Sequence, residues 1–379
     1  MNAAHLKVRQ QRERQIAAYQ QPIPQSTPPW VNEARKGLGR FVIERHRVAG
    51  PVWGLGKRNP GASGWDEVGA CEYVSLVNQY GLQEQAGLND ETRRQAIEFW
   101  QGWQNPDTGR FTDPRDPSRI VNEKYIVGLL KVLGAQPLYP WSTTGHRAGK
   151  IETSVFLTRS RHDPDWELGG WSVGSHTGYM AIEIFDAIES GHEDLIPALE
   201  QGIENMLAHQ GPDGLWGPPD APLAGRIGGT LKVVGQLYFR LGLKVPRTRE
   251  LADALTEHQM SGALRNCSAN SSIPRNTAEM IAYCMEVSDH RREDLRRTMW
   301  ACLLDMKQFI NTDGSISNDR GDTGGAISAI TYSMGLTCAY LDWDDCDWPN
   351  PLAGNTRGRG FQHRIALTDD GHVSVLRNK

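Results

Sequence analysis

Cysteine is sparse and unpatterned: Cys71, Cys267, Cys284, Cys302, Cys338 and Cys346 include no C-x-x-C pair and no close Cys/His cluster. This excludes the common zinc spacings and any disulfide framework, so the cysteines are expected as small core residues, with no metal or other cofactor. Long apolar runs are missing as well. No stretch approaches the roughly 20 residues that a membrane-spanning helix needs. With 39% hydrophobic against 23% charged residues, the chain reads as soluble and globular, without a membrane partner. The formal net charge is −4 and no Lys/Arg run is interleaved with aromatics, which argues against a nucleic-acid surface. The N-terminal stretch MNAAHLKVRQQRERQIAAYQQ lacks the apolar core and small-residue cleavage site of a secretory signal, so the expected location is cytoplasmic. Phenylalanine is the scarce aromatic, with 8 residues against 12 tryptophans. Tryptophan is well suited to stack on a flat, polar-edged ligand such as a sugar, although a core position explains any single one equally well.

Period-two alternation is also nearly absent before about residue 360, which disfavours a sheet-based enzyme. The tail HRIALTDDGHVSVL does alternate around Asp370-Gly371 and predicts one β-hairpin. What fills the rest is a repeat. At intervals of about fifty residues an amphipathic helix is followed by a polar Gly/Trp/Asp loop and a second, more apolar helix, with second helices beginning near Val68, Glu123, Thr177, Gly229, Thr277 and Thr323. In one unit ETRRQAIEFWQGW carries Ala96, Phe99, Trp100 and Trp103 at helical spacing. The turn-rich QNPDTGRFTDPRDP interrupts it, and NEKYIVGLLKVLG resumes with Ile126, Leu129, Leu130 and Leu133 on one face. First helices are polar on one side, whereas second helices are apolar nearly all round and rich in glycine and alanine. An outer and an inner ring require that difference, because an inner helix is packed on most of its circumference.

Six such hairpins predict an all-α fold, a single (α/α)6 barrel or toroid over residues 31–345. An N-terminal helical arm would precede it over residues 1–30, and a tail with the β-hairpin would follow over residues 346–379. Either appendage could make a homo-oligomer contact, a structural role being the plainer reading. Through the loops QNPDTGRF, QGPDGLWG and NTDGSIS the chain resembles the α/α-toroid enzymes. Gln210 to Trp216 is similar to the Q-x-x-x-G-x-W repeats of terpenoid cyclases and protein prenyltransferases. Six-hairpin glycosidases and polysaccharide lyases share the barrel, and the resemblance implies carboxylates, His, Tyr or Arg on loops at the inner-helix N-termini. It specifies the fold far better than the reaction.

In such a barrel the inner-helix N-termini converge on one concave mouth. The residues expected there are Trp65, Asp66 and Glu67, then Asn122, Glu123 and Lys124, then Trp166, Glu167, Trp171 and His176. Later repeats add Trp216, Arg226 and Lys232, then Arg275, Asn276 and Glu279, then Asp319, Arg320 and Asp322. Helix N-termini favour carboxylates, so Asp66 and Asp322 read equally well as caps, and Glu123 as a first-turn acid that complements the dipole. His176 has a plainer reading as a loop histidine beside a capping Ser or Thr.

The preferred function is glycoside hydrolysis of a small, acidic oligosaccharide. Asp66, Glu67, Glu123, Glu279 and Asp322 are the acid/base candidates and Trp65, Trp166, Trp171 and Trp216 the stacking platforms. Glu167, Lys124, Lys232, Arg275 and Asn276 are further substrate-binding candidates. A lyase would instead use His176 or a Tyr as base, with Arg275, Asn276 and Lys232 to neutralise a uronate. Asp342-Trp343-Asp344-Asp345 matches the D-x-D-D acid of class II terpene cyclases, but it follows the sixth inner helix and so belongs at the end away from the mouth. A toroid that binds a glycan or peptide without turnover is a further alternative.

Overall fold

The computed structural model describes residues 13, 16–17, 19–46, 66–139, 141, 153–264, 272–307, 309–311, 324–351 and 360–378, apart from residue 18 and other isolated positions. The chain is mostly helical and ends in a small two-stranded antiparallel sheet. The helices are α1 (Pro29–His46), α2 (Glu67–Tyr80), α3 (Asp90–Gln101), α4 (Glu123–Val132), α5 (Thr153–His162) and α6 (Trp171–Glu189). They continue with α7 (Ile196–Ala208), α8 (Leu223–Leu237), α9 (Thr248–Met260), α10 (Ser272–Val287), α11 (Arg292–Lys307) and α12 (Gly324–Tyr340). No helix among the described residues is long and apolar enough to cross a membrane. The N-terminal helix expected over residues 3–20 lies largely outside the described residues, as do Trp65, Cys267, Asp319, Arg320 and Asp322.

Even-numbered helices pack on one another: α2 on α4, α6 on α8, α8 on α10, α10 on α12, and α12 on α2. Odd-numbered helices lie against them, α3 on α4, α5 and α7 on α6, α9 and α11 on α10. One hydrophobic core runs through these contacts, from Val31 on α1 to Val373 in the hairpin. Local chemistry sets the helix ends. The Asp66 side chain caps α2 by accepting from Gly69 N at 2.7 Å, and Gly81 closes the helix in the left-handed region. Asn89 and Thr92 form a reciprocal capping box on α3.

Helices α6, α8 and α10 start at Trp171, Leu223 and Ser272, five to six residues ahead of the expected Thr177, Gly229 and Thr277. The glycines that suggested loops are instead contact surfaces. A Cβ at Gly178 on α6 would sit 2.6 Å from Gln236 Cγ on α8, and one at Gly229 would collide with the Gly169 carbonyl. The chain turns into α6 at Gly169 and Gly170, with φ of 103° and 79°, conformations that glycine adopts without strain. Its cap is not a Ser or Thr beside His176. Asp165, on the 3-10 turn Pro164–Leu168, accepts from Ser172 N at 2.7 Å and Val173 N at 2.8 Å.

The hairpin forms where the alternation places it. Strand β1 (His363–Leu367) pairs with β2 (Val373–Arg377) in the register His363 to Arg377 and Leu367 to Val373. It docks on the body through carboxylates that accept its outward N–H groups. Glu189 takes Gln362 N and His363 N at 2.6 and 2.8 Å, Glu204 takes Val373 N at 3.1 Å, and Glu200 takes Val375 N at 2.8 Å.

Candidate active site

Two repeat loops are built alike. At the end of α3, Gln104 Nε2 donates to Gly109 O at 2.8 Å and to Tyr139 O at 2.7 Å. At the end of α7, Gln210 Nε2 donates to Gly214 O at 3.0 Å and to Pro246 O at 2.8 Å. Each loop closes with a β-bridge, Gln104 to Phe111 and Gln210 to Trp216. The bridging aromatic then donates its backbone N–H to a side chain of the following helix: Phe111 N to Glu123 at 3.2 Å, Trp216 N to Thr230 Oγ1 at 2.9 Å. Glu123 therefore holds its loop as Thr230 holds the equivalent one. It also pairs with Arg110 and accepts from Trp141 Nε1 at 2.8 Å.

Glu67 is tied up as well. Its carboxylate accepts from Asn122 N at 2.7 Å and pairs with Arg119 at 2.8 Å, and Arg119 reaches on to buried Asp113 at 3.0 Å. The guanidinium groups of Arg115 and Arg119 both lie over the Trp103 indole, at 5.1 and 5.8 Å. Asp66 is a buried helix cap. Arg226 is a buried partner of Asp213, at 2.8 and 2.6 Å. Burial would raise the Asp213 carboxyl, but this ion pair holds it below the usual carboxylate range.

Two of the four stacking candidates are interior residues. Trp166 is 1% exposed, stacks on His209 with centroids 4.6 Å apart, and donates Nε1 to Arg159 O at 3.2 Å. Trp216 is 0% exposed and donates Nε1 to Met206 O at 2.8 Å. Composition counts tryptophans without revealing which have their N–H satisfied inside, and these two do. Trp171 is the exception: it is 42% exposed at the first position of α6, with the Lys232 ammonium 5.0 Å from its ring. Glu167 is exposed on the preceding turn.

Between α4 and α6 lies a cavity of about 430 Å³ whose wall includes Arg110, Glu123, Lys124, Arg159, His176 and Tyr179. It brings Glu123, Lys124 and His176 together as expected, and adds Arg110, Arg159, Trp141 and Tyr179, which the sequence reading did not single out. The Lys124 ammonium lies 5.6 Å from the Tyr125 ring and 5.7 Å from the Tyr179 ring. His176 lies on the second turn of α6, accessible through the cavity, with Nδ1 3.5 Å from Ser172 Oγ. Its imidazole is held below its ordinary pKa, first by partial desolvation and then by the charges of Arg159 and Lys124. At neutral pH it is an uncharged base beside cations.

A second polar group lies on α8, α10 and α12. Glu279 accepts from Tyr332 Oη at 3.1 Å and has Arg275 Nε at 3.9 Å, while the Arg275 guanidinium covers the Tyr332 ring at 4.7 Å. Burial raises the Glu279 carboxyl against the opposing charges of Arg275, Lys232 and Arg240. Asn276 is buried, and its Nδ2 has no hydrogen-bond acceptor among the described residues. Asp342, Asp344 and Asp345 are exposed on the segment after α12, where Asp345 accepts from Thr27 N and Oγ1 at 2.9 and 2.7 Å. Asp345 thus anchors the N-terminal arm, Asp342 lies 3.7 Å from Arg296, and none of the three lines either cavity. Among the described residues no group of His, Cys, Asp and Glu could hold a metal ion. A cavity of about 400 Å³ at the C-terminal end of α2, rimmed by Arg35, Lys36 and Arg40, offers neither a carboxylate nor a histidine.

Comparison of the chain with protein-family models, curated proteins and solved structures finds no match. The reading of the site rests on its own geometry.

Proposed function

We propose that the inner helices complete an (α/α)6 toroid and that its α4/α6 cavity cleaves an anionic oligosaccharide by β-elimination next to a uronate carboxylate. The observation that carries this reading is the uncharged His176 imidazole placed among Arg110, Lys124 and Arg159. The cations bind the uronate carboxylate and stabilise the negative charge that builds on it as the α proton departs. His176 takes that proton, and the glycosidic bond to the neighbouring carbon breaks with the electron pair leaving on oxygen. The Tyr179 hydroxyl, on the same wall, supplies a proton to the leaving oxygen. Hydrolysis needs one ionised and one protonated carboxyl across the bond. It is the weaker reading because Asp66, Glu67 and Glu123 are committed to caps and ion pairs. Its specific support is Glu279, a buried carboxyl kept protonated more readily than usual and so suited to act as a general acid.

The test is a panel of uronate-containing oligosaccharides with two readouts. Elimination gives a new reducing end together with the ultraviolet absorbance of an unsaturated uronate. Hydrolysis gives the reducing end alone. Absorbance that disappears in His176→Ala supports the proposal; reducing ends without absorbance, lost instead in Glu279→Gln, replace it with hydrolysis. Binding without either product would make the toroid a glycan receptor.

A further inference from the structure

Away from the mouth, the cavity of about 400 Å³ lies between α1 and the C-terminal end of α2. Arg35, Lys36, Arg40 and Ile43 reach it from one side of α1, and Tyr80 and Leu82 from the end of α2 and the turn after it. Ile43, Leu82 and the Tyr80 ring make its apolar wall, and Tyr80 is firmly held. It is 6% exposed and meets Trp348 edge-on with centroids 5.7 Å apart, while Trp348 Nε1 donates to Val31 O on α1 at 2.9 Å. The Arg35 guanidinium lies 5.6 Å from the Tyr80 ring, and its Nη2 donates to Tyr80 O at 3.4 Å.

The three cations carry no counter-charge of their own. Arg35, Lys36 and Arg40 form no ion pair with a carboxylate among the described residues, and neither Glu33 nor Glu84 lines the cavity. The end of α2 does not account for them either. Gly81 N takes the Asn78 carbonyl at 3.2 Å, Leu82 N takes the Val77 carbonyl at 2.9 Å, and Arg35 alone serves the Tyr80 carbonyl. Lys36 and Arg40 are exposed and spaced i, i+4 on α1, where like charges destabilise a helix. An anion placed between them removes that repulsion.

We propose that this cavity binds a single-chain amphipathic anion of the fatty-acid class, its carboxylate held by Arg35, Lys36 and Arg40 and its alkyl chain laid against Ile43, Leu82 and the Tyr80 ring. An arginine fork matches a carboxylate in shape and charge, and a lysine adds a compact point charge beside it. The apolar wall takes the chain out of water, so affinity rises with chain length until the wall is covered. The volume lies near the lower end of the roughly 300–1,000 Å³ of small-molecule sites, which suits one alkyl chain and not a two-chain lipid. The cavity shares no lining residue with the one between α4 and α6, so the proposal stands whatever chemistry the mouth performs.

Isothermal titration of the full chain with octanoate tests the proposal, with octanol, acetate and inorganic phosphate as comparison probes. Octanoate is expected to bind saturably, at least ~tenfold tighter than octanol, which lacks the charge, and than acetate, which lacks the chain. Binding should weaken as salt rises, because exposed cations are screened. The double variant Lys36→Glu/Arg40→Glu changes two exposed residues and should lose about tenfold or more, while Arg159→Met, at the mouth, should bind octanoate as the wild type does. Octanol, acetate or phosphate binding as tightly as octanoate, undiminished binding by the double variant, or no saturable binding in the millimolar range each overturns the proposal. So does a chain that ignores free octanoate yet pellets with phosphatidylglycerol vesicles through Lys36 and Arg40, since the ligand would then be a membrane surface.

Discussion

Glu67, the first residue of α2, accepts the backbone N–H of Asn122, the residue before α4, at 2.7 Å. The starts of α2 and α4 are thereby joined side by side, and Arg119 closes the same junction through its ion pair with Glu67. Breaking one partner of a buried pair leaves the other charge uncompensated. Glu67→Ala should therefore cost about 3 kcal/mol of folding stability. Chemical denaturation measures this directly. A loss of activity with stability intact would instead restore Glu67 to the catalytic group.

His176 should titrate below an ordinary imidazole, because desolvation and the charges of Arg159 and Lys124 all oppose protonation. Activity that needs the neutral base is then retained at neutral pH and lost as pH falls through this lowered value. Arg159→Met or Lys124→Met removes one opposing charge and should shift the acidic limb to higher pH. NMR titration of the His176 ring reads the same shift without substrate.

The docked hairpin should loosen in acid. Burial raises the Glu189 carboxyl, but the Gln362 and His363 N–H groups and the His363 ring more than offset this, leaving its pKa lowered. A lowered folded-state pKa contributes stability that is present above the unfolded value and is lost as pH falls through the folded one. Amide exchange at Gln362 and His363 should accelerate below about pH 4, ahead of the inner helices. Glu189→Gln should weaken docking at neutral pH by about 1–3 kcal/mol.

Two glycines of α8 should respond to alanine with opposite signs. At Gly229 a Cβ meets the Gly169 carbonyl, and Gly229→Ala should destabilise by about 1–3 kcal/mol, the usual cost of overpacking. At Gly235 no described atom beyond the adjacent residues and the helix's own backbone lies within 4 Å of the added carbon, so Gly235→Ala should stabilise the helix by roughly 0.5–1 kcal/mol. Thermal melts of the two variants check both.

The helical order, the two equivalent loops and the terminal hairpin were legible because each rests on local chemistry: helical spacing of Ile126, Leu129, Leu130 and Leu133, turn residues after Gln104 and Gln210, alternation around Asp370-Gly371. The starts of α6, α8 and α10 were not. Gly174 and Gly178 look like loop residues until the opposing helix shows that they permit close approach, and Gly228 and Gly229 mark the expected start of a helix that already begins at Leu223. In the site, Glu123, Lys124 and His176 were legible from position within the repeat, and they do share a cavity. Arg159 and Tyr332 were not, because they come from α5 and from the middle of α12, away from the helix starts. The structural roles of Glu67, Trp166 and Trp216 depend on Arg119, His209 and the Met206 carbonyl, partners that no local pattern discloses.

The paired glutamines have a consequence for how the molecule comes together. Gln104 reaches a carbonyl 35 residues onward and Gln210 one 36 residues onward. Like overlapping roof tiles, each unit is fastened by the one laid after it. During synthesis the loop after α3 cannot make this far bond until Tyr139 has emerged, nor the loop after α7 until Pro246 has. A chain cut just after α4 or α8 would keep its helices yet leave the last Gln amide without its far carbonyl. In both loops the outer fastening is supplied by chain made later.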